Sequence, residues 1–297
     1  MIYIKIQKTF LLITGIFFSL LLSGCSIQHH LLQNAGDLLS KESTAAEDDL
    51  ELLKYASAYH LKVSESVLSE IPDHVKLSEA VTRGFTQYAF VFLMDEADRT
   101  ETQGIQQATL LRARAAKMLL RAKLHGYKTL TLHYPQLDTY LMSNKTDHSI
   151  KLSSVDAGLA YWTMTSWAGA ISLSKDNPDI VADLPQVIKL ASLIWRVDPK
   201  FDNGALASMM GTLELAKPGG KIETAEKYFD LAIEWRKDQV APLVSKAENW
   251  AVTAQNKEAF KLLLQKAIDT AGHSNNLSNT VMLRRAHWLL DSIDNLF

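Results

Sequence analysis

One spacing constrains this chain more than any other. Ala225, Phe229 and Ala232 follow A-x3-F-x2-A, and about 35 residues later Phe260, Leu264 and Ala267 take the same offsets. About 38 residues earlier stand Val187, Ala191 and Ile194, and about two periods before those stand Ala115, Leu119 and Ala122. Offsets of four and three place such residues on one face of a helix. A period of roughly 34 residues with small and apolar positions on that face marks stacked helix pairs. The small residue lets the two helices of a pair approach closely, and the apolar one fills the gap to the next pair. Asp198-Pro199 follows Ile194 where such a helix has to stop, because a residue before Pro leaves the α region.

Helical periodicity extends through the rest of the chain. Leu50, Leu53, Ala56, Tyr59 or His60, Val63 and Val67 recur at three and four, and this helix ends by Ile71-Pro72. The next starts at Pro72 or Asp73 and carries Val75, Leu77, Val81, Phe85, Tyr88, Phe92 and Leu93. A third covers 103–124, with His125-Gly126 as its stop, since Gly takes the left-handed position after a helix without a clash. Residues 127–153 mix Tyr, Leu, Pro135 and polar residues and read as a long loop holding a short helix or two. Helices follow at 154–173, 178–197, 203–216, 222–236, 241–254, 258–271 and 277–294. No alternating strand pattern occurs. The expectation is an all-α fold, a superhelical solenoid of tetratricopeptide-like helix pairs over 45–297. Its last helix has an apolar face (Leu283, Ala286, Leu289, Leu290, Ile293) and charges (Arg284, Arg285, Asp291, Asp294), as a capping helix requires.

Residues 1–24 predict a lipoprotein signal peptide. Lys5 and Lys8 make a basic start, and Phe10 to Leu22 is an apolar run interrupted by Thr14, Gly15 and Ser19. That run is shorter than the roughly 20 residues a stable membrane span needs. Leu22-Ser23-Gly24-Cys25 closes it and looks like a bacterial lipobox, in which the Cys25 sulfur is acylated. The alternative is a plain signal peptide with an incidental Cys. Residues 25–44 then form a lipidated tether with room for a short helix, broken by the polar run 40–44. Ser26 in the next position points to the outer membrane, with the body facing the periplasm. Cys25 is the single cysteine, so an acylated chain has no disulfide and must be stabilised by packing.

The formal net charge is −2, and losing Lys5 and Lys8 with the leader makes the mature chain more acidic. That excludes an electrostatic footprint for nucleic acid. Cys25 with His29-His30 reads as anchor and tether, and no H-x3-H or H-E-x2-H pattern occurs, so no metal or other cofactor is expected. Asp95-Glu96-Ala97-Asp98 spells a helicase box, but no phosphate-binding loop precedes it and it reads as a polar helix end. No G-x-S-x-G elbow is present. Lys217-Pro218-Gly219-Gly220 is an interhelical turn, or an anion site at the helix start after it. Trp162 and Trp167 belong to the core or line a pocket. With no catalytic constellation, the chain reads as a non-enzymatic scaffold.

Several segments together resemble one family. They are Tyr161-Trp162, Ser166-Trp167-Ala168-Gly169, the run Asp198-Pro199-Lys200-Phe201-Asp202-Asn203-Gly204, and Lys217-Pro218-Gly219-Gly220. Ala225-x2-Tyr228-Phe229-x2-Ala232-Ile233, Arg285-Ala286-x2-Leu289-Leu290 and the ending Asn295-Leu296-Phe297 complete the set. In order and spacing they resemble the TatT family, lipoproteins associated with tripartite ATP-independent periplasmic (TRAP) transporters. The resemblance implies an all-helical, periplasm-facing lipoprotein whose partner is the transporter's periplasmic solute-binding protein. The alternative is an envelope-biogenesis assembly lipoprotein using the same scaffold on other proteins. Homo-oligomerisation and direct contact with the transported ligand stay open. If Gly169 and Gly211 mark equivalent positions on the first helices of two pairs, Thr163, Ser166, Ser208 and Thr212 fall near a concave groove, with Asn249 in the next pair. These small polar residues either line the groove or are solvated helix faces.

Overall fold

The computed structural model describes residues 24–41, 49–143, 150–271 and 277–297. It is 82% helix, with no strand among the described residues. Of the expected leader 1–24, residues 1–23 lie outside the described part. The segment 25–44, read as a tether with room for a short helix, carries most of α1 (Gly24–Leu39), which packs on the next two helices through Leu32 and Leu39. The helix α2 (Leu50–Glu70) is started by Asp49, whose carboxylate accepts from the Glu51 and Leu52 amides, and it stops before Pro72 as expected.

Four helix pairs follow in order. In the first, α3 (Val75–Tyr88) continues through a π turn at Ala89–Met94 into α4 (Asp95–Thr100), and the chain returns as α5 (Ile105–His133). In the second, α7 (Ala157–Ser172) packs against α9 (Leu184–Val197), with α6 (Leu137–Met142) and α8 (Pro178–Val181) in the connections. The third pairs α10 (Phe201–Ala216) with α11 (Ile222–Trp235). The fourth pairs α12 (Ala241–Ser245) and its continuing π turn at Lys246–Ala251 with α13 (Lys257–Ala271), and α14 (Leu277–Asp291) closes the chain.

The repeated residues sit on the second helix of each pair. Ala115, Leu119, Ala122, Val187, Ala191, Ile194, Ala225, Phe229, Ala232, Phe260, Leu264 and Ala267 are all fully buried. Close approach is visible at Gly211, where a Cβ would lie 2.8 Å from the Phe229 ring. Bulk on one helix is matched by a missing side chain on its partner.

Three expectations are corrected. First, α5 does not stop at Gly126 but runs to His133. Gly126 is buried, and a Cβ there would overlap Thr163 Oγ1 and come within 3.0 Å of Thr82 Oγ1. The residue serves helix packing rather than chain reversal. Second, 178–197 is broken after Val181, because Pro185 has no N–H to give the Val181 carbonyl. Third, Asp202, Asn203 and Gly204 all have positive φ, so regular helix in α10 begins only after Gly204.

The apolar interior forms three clusters in chain order. The first draws on 61–122 with Ala170, the second on 130–213 and the third on 225–289. Neighbouring clusters share a helix. Ala170 of α7 joins the first while most of α7 lies in the second, and α10 gives Leu206 and Leu213 to the second and Leu215 to the third.

Candidate functional site

The first helices stand side by side, since α3 touches α7, α7 touches α10, and α10 touches the π turn at 246–251. Ser208 and Thr212, one turn apart on α10, are half-buried, as is Asn249 on the π turn. Thr212 Oγ1 donates to the Ser208 carbonyl at 3.2 Å, and Asn249 Nδ2 donates to the Ser245 carbonyl at 2.9 Å. Each keeps acceptor capacity after that bond.

Thr163 and Ser166 are placed differently. Both are 0% exposed, with Thr163 Oγ1 donating to the Leu159 carbonyl at 2.7 Å and Ser166 Oγ to the Thr163 carbonyl at 2.8 Å. The helix that carries them is enclosed by α3, α5, α9 and α10. Their small side chains answer to neighbouring helices and open onto no groove. Trp167 is in the core as well, its indole N–H donating to Asp183 at 2.9 Å. Lys123 lies 4.2 Å from the Trp167 ring and 4.8 Å from the Tyr127 ring, and burial lowers its pKa.

Local sequence reading missed the charge cluster where the two ends of the array meet. Arg285 of α14 donates to Asp98 at 2.7 Å and also to Glu248. Arg284 approaches Asp95 at 3.2 Å, and Arg99 donates to the Arg284 carbonyl at 3.1 Å. Arg112 ties Asp98 and Glu101 together at 2.9 and 2.7 Å. Burial works to lower the Arg285 pKa, but Glu248 and Asp98 outweigh it and raise it. The acid-rich run 95–101 and the pair Arg284-Arg285 are visible as letters; their meeting is a tertiary fact. A second cluster joins α2 to α5, where Glu65 accepts from Lys62, Arg121 and His125. Burial pushes its carboxyl up, and these three bonds overcome that and bring it down to about 2.

The turn at 217–220 needs no anion. Gly219 has φ +73, a Cβ on Gly220 would collide with the Glu214 carbonyl, and the Glu214 carboxylate accepts from the Lys221 amide at 3.1 Å. Among the described residues, no group of three His, Cys, Asp or Glu side chains could hold a metal ion. No helix among them is long and apolar enough to cross a membrane.

The fold defines a class: an all-helical protein whose helices pack in succession along the chain. The family model of the TRAP transporter T-component matches residues 46–297, and the chain belongs to that family. A protein of Treponema pallidum (strain Nichols), described as uncharacterized, is 25% identical over 265 residues. That match covers 84% of this chain and 81% of the relative. Family membership makes the chain an accessory component of a transporter and points to the cell envelope.

Proposed function

We propose that this T-component is a lipid-anchored scaffold that holds the periplasmic solute-binding protein of a TRAP transporter. In this reading the pairs form a tetratricopeptide-like superhelical solenoid, attached through acylated Cys25 to the outer membrane and facing the periplasm. The partner docks on the inner face of the first helices, where Ser208, Thr212 and Asn249 offer hydrogen bonds around a half-buried surface. The observation that carries the reading is the family match together with the side-by-side first helices. Polar groups of this kind can bond a protein partner directly or through trapped water, as protein interfaces do. The mildly acidic body gives no strong steering, so affinity should be modest and only weakly dependent on salt.

The test is affinity capture with the full chain in detergent from envelope extract, with crosslinking and mass spectrometry. Recovery of a solute-binding protein, reduced by Thr212→Trp, supports the reading. Consistent recovery of envelope-assembly factors without a solute-binding protein replaces it with the assembly role.

A further inference from the structure

The joints between successive helix pairs have apolar contacts, and the one between the third and fourth pairs adds Lys246 donating to Glu226 and Asp230 at 3.3 and 2.6 Å. The Gly169 backbone of α7 lies against Phe90 and Leu119 of the first pair. Trp195 of the second pair meets Tyr228 of the third, with ring centroids 5.3 Å apart. Leu215 of the third pair packs into the cluster of the fourth. Each joint therefore draws on area removed from water, a contribution that salt does not screen.

The contact between the first pair and the final helix has another chemistry. It joins residues 187 positions apart. What crosses there is charge: Arg285 to Asp98, Arg284 to Asp95, and the Arg99 guanidinium to the Arg284 carbonyl. Glu248 holds Arg285 from its own side of the junction, and Arg112 with Glu101 does the same for Asp98. Trp288 lies under the Arg285 guanidinium at 4.4 Å. Both sides are thus pre-assembled, and each keeps a counter-charge for its own central group if they part. The side chains of Arg285 and Asp98 are 18% and 19% exposed, so solvent and ions reach them.

We propose that this seam is an ionic latch: the helix pairs make a closed path that opens between Asp98 and Arg285 while every pair stays folded. Opening there admits a loop of a folded partner to the inner face from the side, where a permanently closed path would require entry by an end. A latch of this kind weakens with ionic strength, since the screening length falls from about 8 Å at physiological salt to about 3 Å at 1 M.

The experiment places nitroxide labels at Gln103→Cys and His287→Cys in the full chain. Both positions are exposed, and a Cys25→Ser background leaves the introduced pair as its only thiols. Pulsed electron-spin distance measurement should give one short population at low salt. Arg285→Gln should add a longer population, and raising the salt on the intact latch should do the same, while helical circular dichroism is retained. Arg236→Gln, which removes the Arg236–Asp202 pair elsewhere, should leave the short distance alone. A single short distance in Arg285→Gln with full helicity overturns the latch, as does equal widening in Arg236→Gln. If Arg285→Gln fails to fold, the salt series on the intact chain decides, and an unchanged distance at every salt concentration overturns the proposal.

Discussion

Asp98 Oδ2 lies 2.7 Å from Arg285 Nη1, across 187 residues of sequence. The same carboxylate accepts from Arg112 at 2.9 Å, so it serves one guanidinium on each side of the junction. A double-mutant cycle with Asp98→Asn and Arg285→Gln should give a coupling of about 1–2 kcal/mol in chemical denaturation. Additive single effects would mean that the contact contributes nothing to folding.

Gly126 and Thr163 make a reciprocal test of helix packing. Gly126→Ala should cost about 1–3 kcal/mol, because the new methyl overlaps Thr163 Oγ1. Adding Thr163→Ala removes the obstructing atoms and should recover part of that loss. Denaturation midpoints of the two single variants and the double variant settle the comparison.

Ala225→Leu should overpack the contact between α10 and α11 and cost about 1–3 kcal/mol. Gly211→Ala should act in the same direction, since its methyl meets the Phe229 ring. A midpoint unchanged from the parent in both variants would contradict the close approach at these positions.

The Glu65 cluster predicts acid sensitivity. The folded-state pKa of Glu65, about 2, is below its ordinary value of 4.5. Its contribution is therefore complete above pH 4.5 and is lost as pH falls from there toward 2. Glu65→Gln should lower stability by about 1–3 kcal/mol at pH 7 and flatten the decline in thermal midpoint over that window. An identical slope in parent and variant would remove Glu65 from the acid transition.

Cys25→Ser should move the protein from the membrane fraction to the soluble fraction and abolish incorporation of labelled palmitate. One acyl chain anchors only marginally, so firm attachment implies several. Continued membrane retention without label in the parent would rule out the lipidated anchor.

What the letters disclose depends on the range of the interaction. The A-x3-F-x2-A positions are legible because offsets of three and four are local, and all twelve repeated residues are fully buried. Gly126 is misread because a packing glycine and a helix-ending glycine are the same letter, and its counterpart, Thr163, lies on another helix. Thr163 and Ser166 are misplaced for a related reason. Their helix is covered on four sides, and the periodicity of one helix does not say how many neighbours it has. Ser208, Thr212 and Asn249 are half-buried. Asp98 and Arg285 read as solvated charges until the array brings its ends together.

The two π turns, at 89–94 and 246–251, make chain length itself a determinant of the architecture. Each is an α-helix carrying one surplus residue. Excising a residue from Ala89–Met94 would restore ordinary winding and keep the downstream facing, whereas excising one from regular helix before it would rotate everything beyond by about 100°. Asp95 and Asp98 would swing off the side that meets Arg284 and Arg285 with no charge altered. Substitutions in these helices therefore edit single contacts, whereas a one-codon insertion or deletion outside the π turns would re-aim a whole helix.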